Sequence, residues 1–354
     1  MMGQWMKRWR SLLLGVVVSV VSLVLALQGN NPETILRELG RGNYWFLIPG
    51  FLLAFIGQVF RALRWRSLLN DKIAPGRSFN IMNIGYMFNV LLPLRLGEVG
   101  RAFLTTRLKP PIPMFTSFSS VVIERLTDTL TVVVLILIAI AIAPVPPQVQ
   151  RGALTTGGLV VVGMLVMVFF AARRDLAHRL LDAVLRILPI LNRINLRTIA
   201  DRVLDGITPM ASPRGAASVL VWTAAAWACS VATAYVLLPV FFPEPSWFAA
   251  LLAVSSAAIA VALPALPGNV GPFEAAIIVG LGIAGYADEG ASGRAFAYAV
   301  LVHMLNVILW VGCGWYGLLR ENITFNEMLT ATRQVANRAK SPAAAPQPAA
   351  GNDS

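Results

Sequence analysis

Arg95, Glu98 and Arg101 follow a Leu-Pro step and surround Gly97 and Gly100, in the middle of an apolar stretch. A helix that stops at Pro93 leaves backbone carbonyls without partners. Glycine lets a ligand approach the backbone closely, and arginine offers planar donors matched to phosphate. These residues suit a lipid-phosphate or headgroup site with Glu98 as counter-charge; equally, they suit a juxtamembrane loop whose Glu and Arg pair with each other. Asn89, just before the break, joins the headgroup-binding candidates.

Glu124, Arg125 and Asp128 open the next long apolar run. Glu124 and Asp128 are four apart and Arg125 and Asp128 three apart, so both pairs share a helix face. Ionisable groups there are costly unless they face a bundle interior or water. Either they end the span as an interfacial ion pair, or Arg125 pairs with Glu98 and Glu124 with Arg101, tying the broken segment to the following helix. Glu274 heads a further apolar run with no cation nearby in sequence. It fits a helix N-terminus stabilised by the dipole or an intramembrane functional group. Asn269 could donate to a headgroup oxygen or cap that helix. His303 and Asn306, one turn apart, read as a hydrogen-bonded packing pair or as cavity lining.

These groups sit on a repeated backbone pattern. Leu92-Pro93-Leu94-Arg95-Leu96-Gly97-Glu98-Val99-Gly100 matches Leu263-Pro264-Ala265-Leu266-Pro267-Gly268-Asn269-Val270-Gly271 at Leu, Pro, Gly, Val and Gly, with a constant offset of 171 residues. Pro93, Gly97, Gly100, Pro264, Pro267, Gly268 and Gly271 are therefore the candidate break or hinge positions. Within a bilayer, broken backbone is tolerated only where protein buries it or it lines a wet cavity. Paired breaks in two halves of a chain point to a transporter binding site at the midplane.

Composition sets the solvent. Hydrophobic residues make up 57% of the 354, charged residues 13%, and the mean hydropathy is +0.69. A soluble domain carries about 25% charge, so most of this surface must face lipid. The net charge of +12, from 29 Lys and Arg against 17 Asp and Glu, fits basic inner loops and anionic headgroups rather than nucleic acid, for which no binding module is visible. Cys229 and Cys313 lie in apolar runs, His178 and His303 are far apart, and no metal-ligand spacing, phosphate-binding loop or nucleophile elbow is present. No cofactor or metal is expected, and no enzymatic activity.

The elements that must position the candidates form an all-α polytopic bundle of about eight spans. Residues 12–27, after Lys7, Arg8 and Arg10, read as a retained first helix. A second span covers 44–61, with Arg61, Arg64, Arg66, Lys72 and Arg77 after it. Residues 79–92 are short, and a full crossing would strand Arg95, Arg101, Arg107 and Lys109 outside, so this segment is expected to be re-entrant. Spans at 118–143, 153–172, 216–240, 247–263 and 295–319 follow, and the apolar run 273–285 is too short to cross untilted. The insertion 173–214 reads as a cytoplasmic amphipathic helix on the inner leaflet, Asp288 and Glu289 as an external turn, and 321–354 as a largely disordered cytoplasmic tail. The transmembrane domain thus spans 11–320, in the plasma membrane, with both termini inside. Loop charges place both pattern copies near the cytoplasmic side, which favours parallel over inverted repeats without fixing either.

Gly85-Tyr86-Met87-Phe88-Asn89-Val90-Leu91-Leu92-Pro93, then Arg95-Leu96-Gly97-Glu98 and Arg101, Glu124-Arg125 with Asp128, and Pro267-Gly268-Asn269-Val270-Gly271 with Glu274, together resemble the transmembrane domain of lysylphosphatidylglycerol synthases, a flippase-like family. The resemblance covers roughly 10–320. It implies movement of a phospholipid or lipid-linked headgroup between leaflets: an anionic or aminoacylated phospholipid, or a polyprenyl-phosphate-linked sugar. Arg95, Arg101 and Arg125 would hold phosphate, while Glu98, Glu124 and Glu274 would balance them and select cationic or hydroxylated heads. The synthase's cytosolic domain is not expected in this chain, and a lipid-modifying enzyme is an expected partner. A membrane enzyme acting on lipid-linked sugars or phospholipids, and a scaffold docking through 173–214, are the rival readings.

Overall fold

Both interruptions reverse the chain. The computed structural model describes residues 32–92, 95–142, 147–187, 196–262, 267–287 and 292–330. Pro93, Pro264, the run 12–27, the Asp288-Glu289 turn and the tail beyond 330 lie outside the described residues. The described chain is helical throughout. A short helix α1 (Pro32–Arg41) precedes α2 (Leu47–Leu68), α3 (Pro75–Leu91), α4 (Leu96–Thr105), α5 (Met114–Ile142) and α6 (Pro147–Ala172). The insertion holds α7 (Arg174–Ile187) and α8 (Leu196–Ala211). Then come α9 (Pro213–Leu237), α10 (Trp247–Ala262), α11 (Pro272–Ile283) and α12 (Ser292–Glu321). Five of these stretches are long and apolar enough to cross a membrane: Tyr44–Leu68, Met114–Ile142, Gln150–Ala172, Pro213–Val240 and Gly293–Glu321.

The shorter helices form two hairpins. Helix α3, about 25 Å long at 1.5 Å per residue, falls short of the roughly 30 Å hydrocarbon core. It is buried nearly all round: Asn80, Met82, Asn83, Ile84, Met87 and Phe88 are all inside. Helix α4 folds back onto it through glycine. A Cβ on Gly97 would lie 1.9 Å from the Gly85 carbonyl oxygen, so only glycine allows this approach. Asn89 closes the turn by accepting the Gly97 N–H at 2.9 Å. In the second half, α11 folds back on α10, with a Cβ on Gly280 only 2.7 Å from the Leu252 carbonyl. Pro267–Asn269 makes a 3-10 turn at this tip. Gly268, Asn269 and Gly271 all take positive φ there.

The hairpins oppose each other along α12. Glu321, at its end, accepts from Arg77 Nε at 2.9 Å and from Asn80 Nδ2 at 3.1 Å, near the base of the first hairpin. Gly317 and Gly314 then lie against the backbone of Asn80 and Asn83. Further back, His303 meets Glu274 at the start of α11, and Phe296 and Val300 pack with Ala275 and Ile278. Passing from Glu321 toward Ser292, α12 therefore meets the first hairpin from base to tip and the second from tip to base. The tips touch: a Cβ on Gly268 would sit 3.8 Å from the Val90 carbonyl oxygen. This arrangement is inverted, which corrects the parallel preference drawn from loop charges.

Two element boundaries also differ from expectation. Helix α2 does not end at Arg61 but continues through Arg64 to Leu68, because Arg64 is neutralised inside the bundle rather than left in a loop. The insertion is two helices, not one. Arg174–Asp205, His178–Asp201 and Arg197–Asp182 pairs join them, and α8 buries Leu204, Ile207 and Met210. Gly206 brings α8 against the Thr116 carbonyl of α5. Beyond α12, Thr324 and Glu327 form a reciprocal capping box, and the Thr324 backbone and hydroxyl hold the Glu327 carboxyl below its usual range.

Gly97→Ala should lower thermal stability by about 1–3 kcal/mol through overpacking. Gly158→Ala, where a Cβ meets nothing within 4 Å, should be neutral or stabilise by up to about 1 kcal/mol. Melting of both purified variants in detergent checks this; equal melting points would mean the hairpin is not held by glycine contact.

Candidate functional site

Four helices distant in sequence converge on one carboxylate. Helical spacing puts Arg61, Arg64 and Trp65 on one stripe of α2, Glu98 and Arg101 on one face of α4, and Glu124 and Asp128 on one face of α5. Glu124 is fully buried. It takes Arg101 Nη2 at 2.9 Å and Arg64 Nη2 at 3.3 Å, and accepts from the Tyr86 hydroxyl of α3 at 3.3 Å. Asp128 accepts both Nη atoms of Arg64, at 2.5 and 3.3 Å, and the Trp227 indole N–H of α9 at 3.0 Å. Glu98 takes Arg125 through Nη2 at 2.6 Å and Nε at 3.1 Å. The pairs Arg125–Glu98 and Arg101–Glu124 are those the second sequence reading anticipated. Arg125 and Asp128 approach only to 4.0 Å.

Aromatic rings complete the packing. The Arg101 guanidinium lies over the Trp65 ring at 4.7 Å, a favourable cation–π placement in a desolvated setting. Trp65 Nε1 in turn donates to Ser120 Oγ at 3.1 Å. Arg61 donates to Ser230 Oγ at 2.8 Å and sits 5.7 Å from the Trp227 ring centre. Burying each ion costs several kcal/mol after relaxation, so these pairs hold the helices in register chiefly because losing any one partner strands another.

Arg95 stands apart. It caps α4 from the left-handed region, φ 51°, at a cost of roughly 1–2 kcal/mol for a residue with a Cβ. Among the described residues, its buried Nη2 has no partner. Asn89 is spent on the Gly97 N–H, and Gly97 and Gly100 serve the close packing of α4, where both are buried. Glu274 does not join the arginines. One carboxylate oxygen accepts the Gly271 N–H at 2.8 Å, and the other lies 2.5 Å from His303 Nδ1, beneath the Phe273 ring. Of the two roles weighed for Glu274, the geometry shows the helix cap, and it adds a buried histidine partner. His303 and Asn306 are not bonded to each other; Asn306 donates to the Val302 carbonyl. Asn269 and Gly268 lie half-buried at the second tip, and Pro267 enters it as the first residue of the 3-10 turn.

Sequence reasoning missed Arg64, Arg61, Tyr86 and Trp227, and the partner of Glu274. Arg64 had no separate signal: Arg95, Arg101 and Arg125 already match Glu98, Glu124 and Asp128 in number, and a basic residue at the end of an apolar run reads as a loop marker. Among the described residues no group of three or more His, Cys, Asp or Glu side chains is placed to hold a metal, and Cys229 and Cys313 are free thiols.

Residues 12–328 match the family described as the lysylphosphatidylglycerol synthase TM region. A curated relative, Glycosyltransferase AglD of Haloferax volcanii, is 23% identical over 92% of this chain and 56% of its own. The chain thus spans about half the length of that relative. No solved structure matches.

Arg64→Ala should cost about 3–5 kcal/mol, because it leaves two carboxylates buried without their shared cation. Adding Asp128→Asn, which neutralises the carboxylate that Arg64 holds through both Nη atoms and leaves Glu124 paired with Arg101, should recover part of that loss. Thermal melting of the single and double variants decides the matter: a harmless Arg64→Ala, or a double variant no better than the single, would contradict the network.

Proposed function

Because the chain belongs to the lysylphosphatidylglycerol synthase TM region family, we propose that it is a flippase-like transporter, moving a phospholipid or lipid-linked headgroup between leaflets. The observation that carries this reading is the meeting of two opposed hairpin tips beside a buried cluster of arginines and carboxylates. A headgroup entering from either leaflet would encounter the same polar groups, while its acyl tails stay in the bilayer. Such a site is needed because a bare charge at the bilayer centre costs at least about 2.5–3.5 kcal/mol. Rocking of the two halves around it would then expose it to one leaflet and the other. For a cargo of net charge, the membrane potential supplies about 2.3 kcal/mol per charge per 100 mV.

On this reading the protein performs no lipid chemistry, lies in the plasma membrane with both termini in the cytoplasm, and takes membrane lipids as its partners. A lipid-modifying enzyme would supply the cargo where that cargo is a modified lipid. A second reading is favoured by the name of the Haloferax relative: an enzyme, or an accessory to one, that acts on lipid-linked sugars.

Purified protein in liposomes with fluorescent lipids separates the two. A transporter changes only the leaflet, an enzyme the mass. Glu98→Gln, which weakens the partly exposed Glu98–Arg125 pair, should slow leaflet exchange by about tenfold, as expected for loss of a charge-assisted bond, while the protein still folds. Liposomes in which wild-type protein leaves every lipid in its leaflet would sink the transport reading.

A further inference from the structure

The cluster is unevenly charged. Five arginines (Arg61, Arg64, Arg95, Arg101 and Arg125) stand with three carboxylates (Glu98, Glu124 and Asp128), and every carboxylate is already engaged by arginine. Among the described residues, Arg61 and Arg95 have no carboxylate within salt-bridge distance. The unmet hydrogen-bonding capacity has the same sign. Among the described residues, Arg95 Nη2, Arg64 Nε and Arg101 Nε are buried donors without acceptors, and so is the indole N–H of Trp310 on α12, whose ring lies 5.9 Å from that of Tyr86. Arg64 and Arg101 are almost wholly buried. The buried hydroxyls of Thr116, Ser117, Thr233 and Ser255, which can act either way, are also unpartnered, and two buried amide acceptors lack a donor, Gln58 Oε1 and Asn83 Oδ1. Both are neutral amides, Gln58 one turn before Arg61 on α2 and Asn83 one turn before Tyr86 on α3.

A buried donor left unmet costs about 1–3 kcal/mol, more for a charged group. The ligand that relieves this set is an anion rich in acceptors. A phosphate offers that, and hydroxyls beside it would satisfy the amides. An ammonium group offers the reverse: it brings three donors and no acceptor, and every carboxylate in the cluster already holds an arginine, Glu98 through Oε1 and the two deeper ones through both oxygens.

We propose that this cluster is a phosphate subsite selective for anionic, hydroxylated headgroups, and that it discriminates against the cationic headgroups of aminoacylated phospholipids. The proposal rests on the reading of the cluster as a lipid-headgroup site and specifies its cargo class. Arg95 is its principal selectivity residue. The left-handed backbone holds it at the hairpin tip, and among the described residues no partner competes for its free Nη2.

The test uses the full chain purified in detergent, titrated with phosphatidylglycerol, lysyl-phosphatidylglycerol, phosphatidylcholine and glycerol phosphate, with thermal stabilisation giving an apparent Kd. Phosphatidylglycerol should bind best, and at least about tenfold better than its lysyl ester, the effect of one charge-assisted interaction. Arg95→Ala should weaken phosphatidylglycerol binding by a similar factor. Arg61→Gln, whose side chain has only Ser230 as hydrogen-bonding partner among the described residues, should weaken it less and gives a second variant if Arg95→Ala folds poorly. Glycerol phosphate binding as tightly as the lipid would support the phosphate site and assign its source as a soluble anion. Lysyl-phosphatidylglycerol binding as well as phosphatidylglycerol, or no effect from either variant, would overturn the proposal. Anion-selective binding without leaflet transfer would sink only the transport reading; transfer that prefers the lysyl lipid would sink only this one.

Discussion

Inside lipid, a charge or a broken stretch of backbone is costly unless protein pairs it or it lines a polar cavity, and in this chain Glu124 is where that constraint is concentrated. It is fully buried and held by Arg64, Arg101 and Tyr86, so helices α2, α3, α4 and α5 are fixed by a single carboxylate. The arrangement is costly in isolation. It persists because each group removed leaves its partners stranded, so the polar centre specifies the register of the bundle more than it adds stability.

The same constraint explains the hairpins. A re-entrant segment exposes backbone at its turn, and each tip meets this need with a side chain. Asn89 accepts the Gly97 N–H in the first, and Glu274 accepts the Gly271 N–H in the second. The repeated glycines shape the backbone at both places, but the side chains have diverged. The first tip is coupled to an arginine-rich network; the second carries a lone carboxylate paired with histidine. Both lean on α12, whose Gly314 and Gly317 admit the first hairpin and whose His303 anchors the second.

Much of this was legible in the sequence, for physical reasons. Helix-length apolar runs and the shortage of charge gave the all-α membrane class, and the matched breaks marked the two hairpin tips. The pairs Arg125–Glu98 and Arg101–Glu124 followed from spacing and the need to neutralise charge. Arg64 was not legible, because a positive residue at the end of an apolar run looks like a loop marker until its partners are known. Residues 64, 124 and 128 come together only through tertiary packing. The inverted arrangement was hidden for a related reason: loop charge reports which side of the membrane a loop occupies, not which way a hairpin enters. His303 as partner of Glu274 had no local signal at all, being 29 residues away.

The claim on which the rest stands is that the two breaks meet inside the bilayer. Paired cysteines at Val90 and Gly268, introduced after Cys229 and Cys313 are replaced and treated in native membranes with a short bis-thiol reagent, test it directly. The account predicts a cross-link as efficient as that of a cysteine pair at Arg77 and Glu321, which already touch at 2.9 Å. Efficient linkage of the control pair with none between 90 and 268 would contradict it.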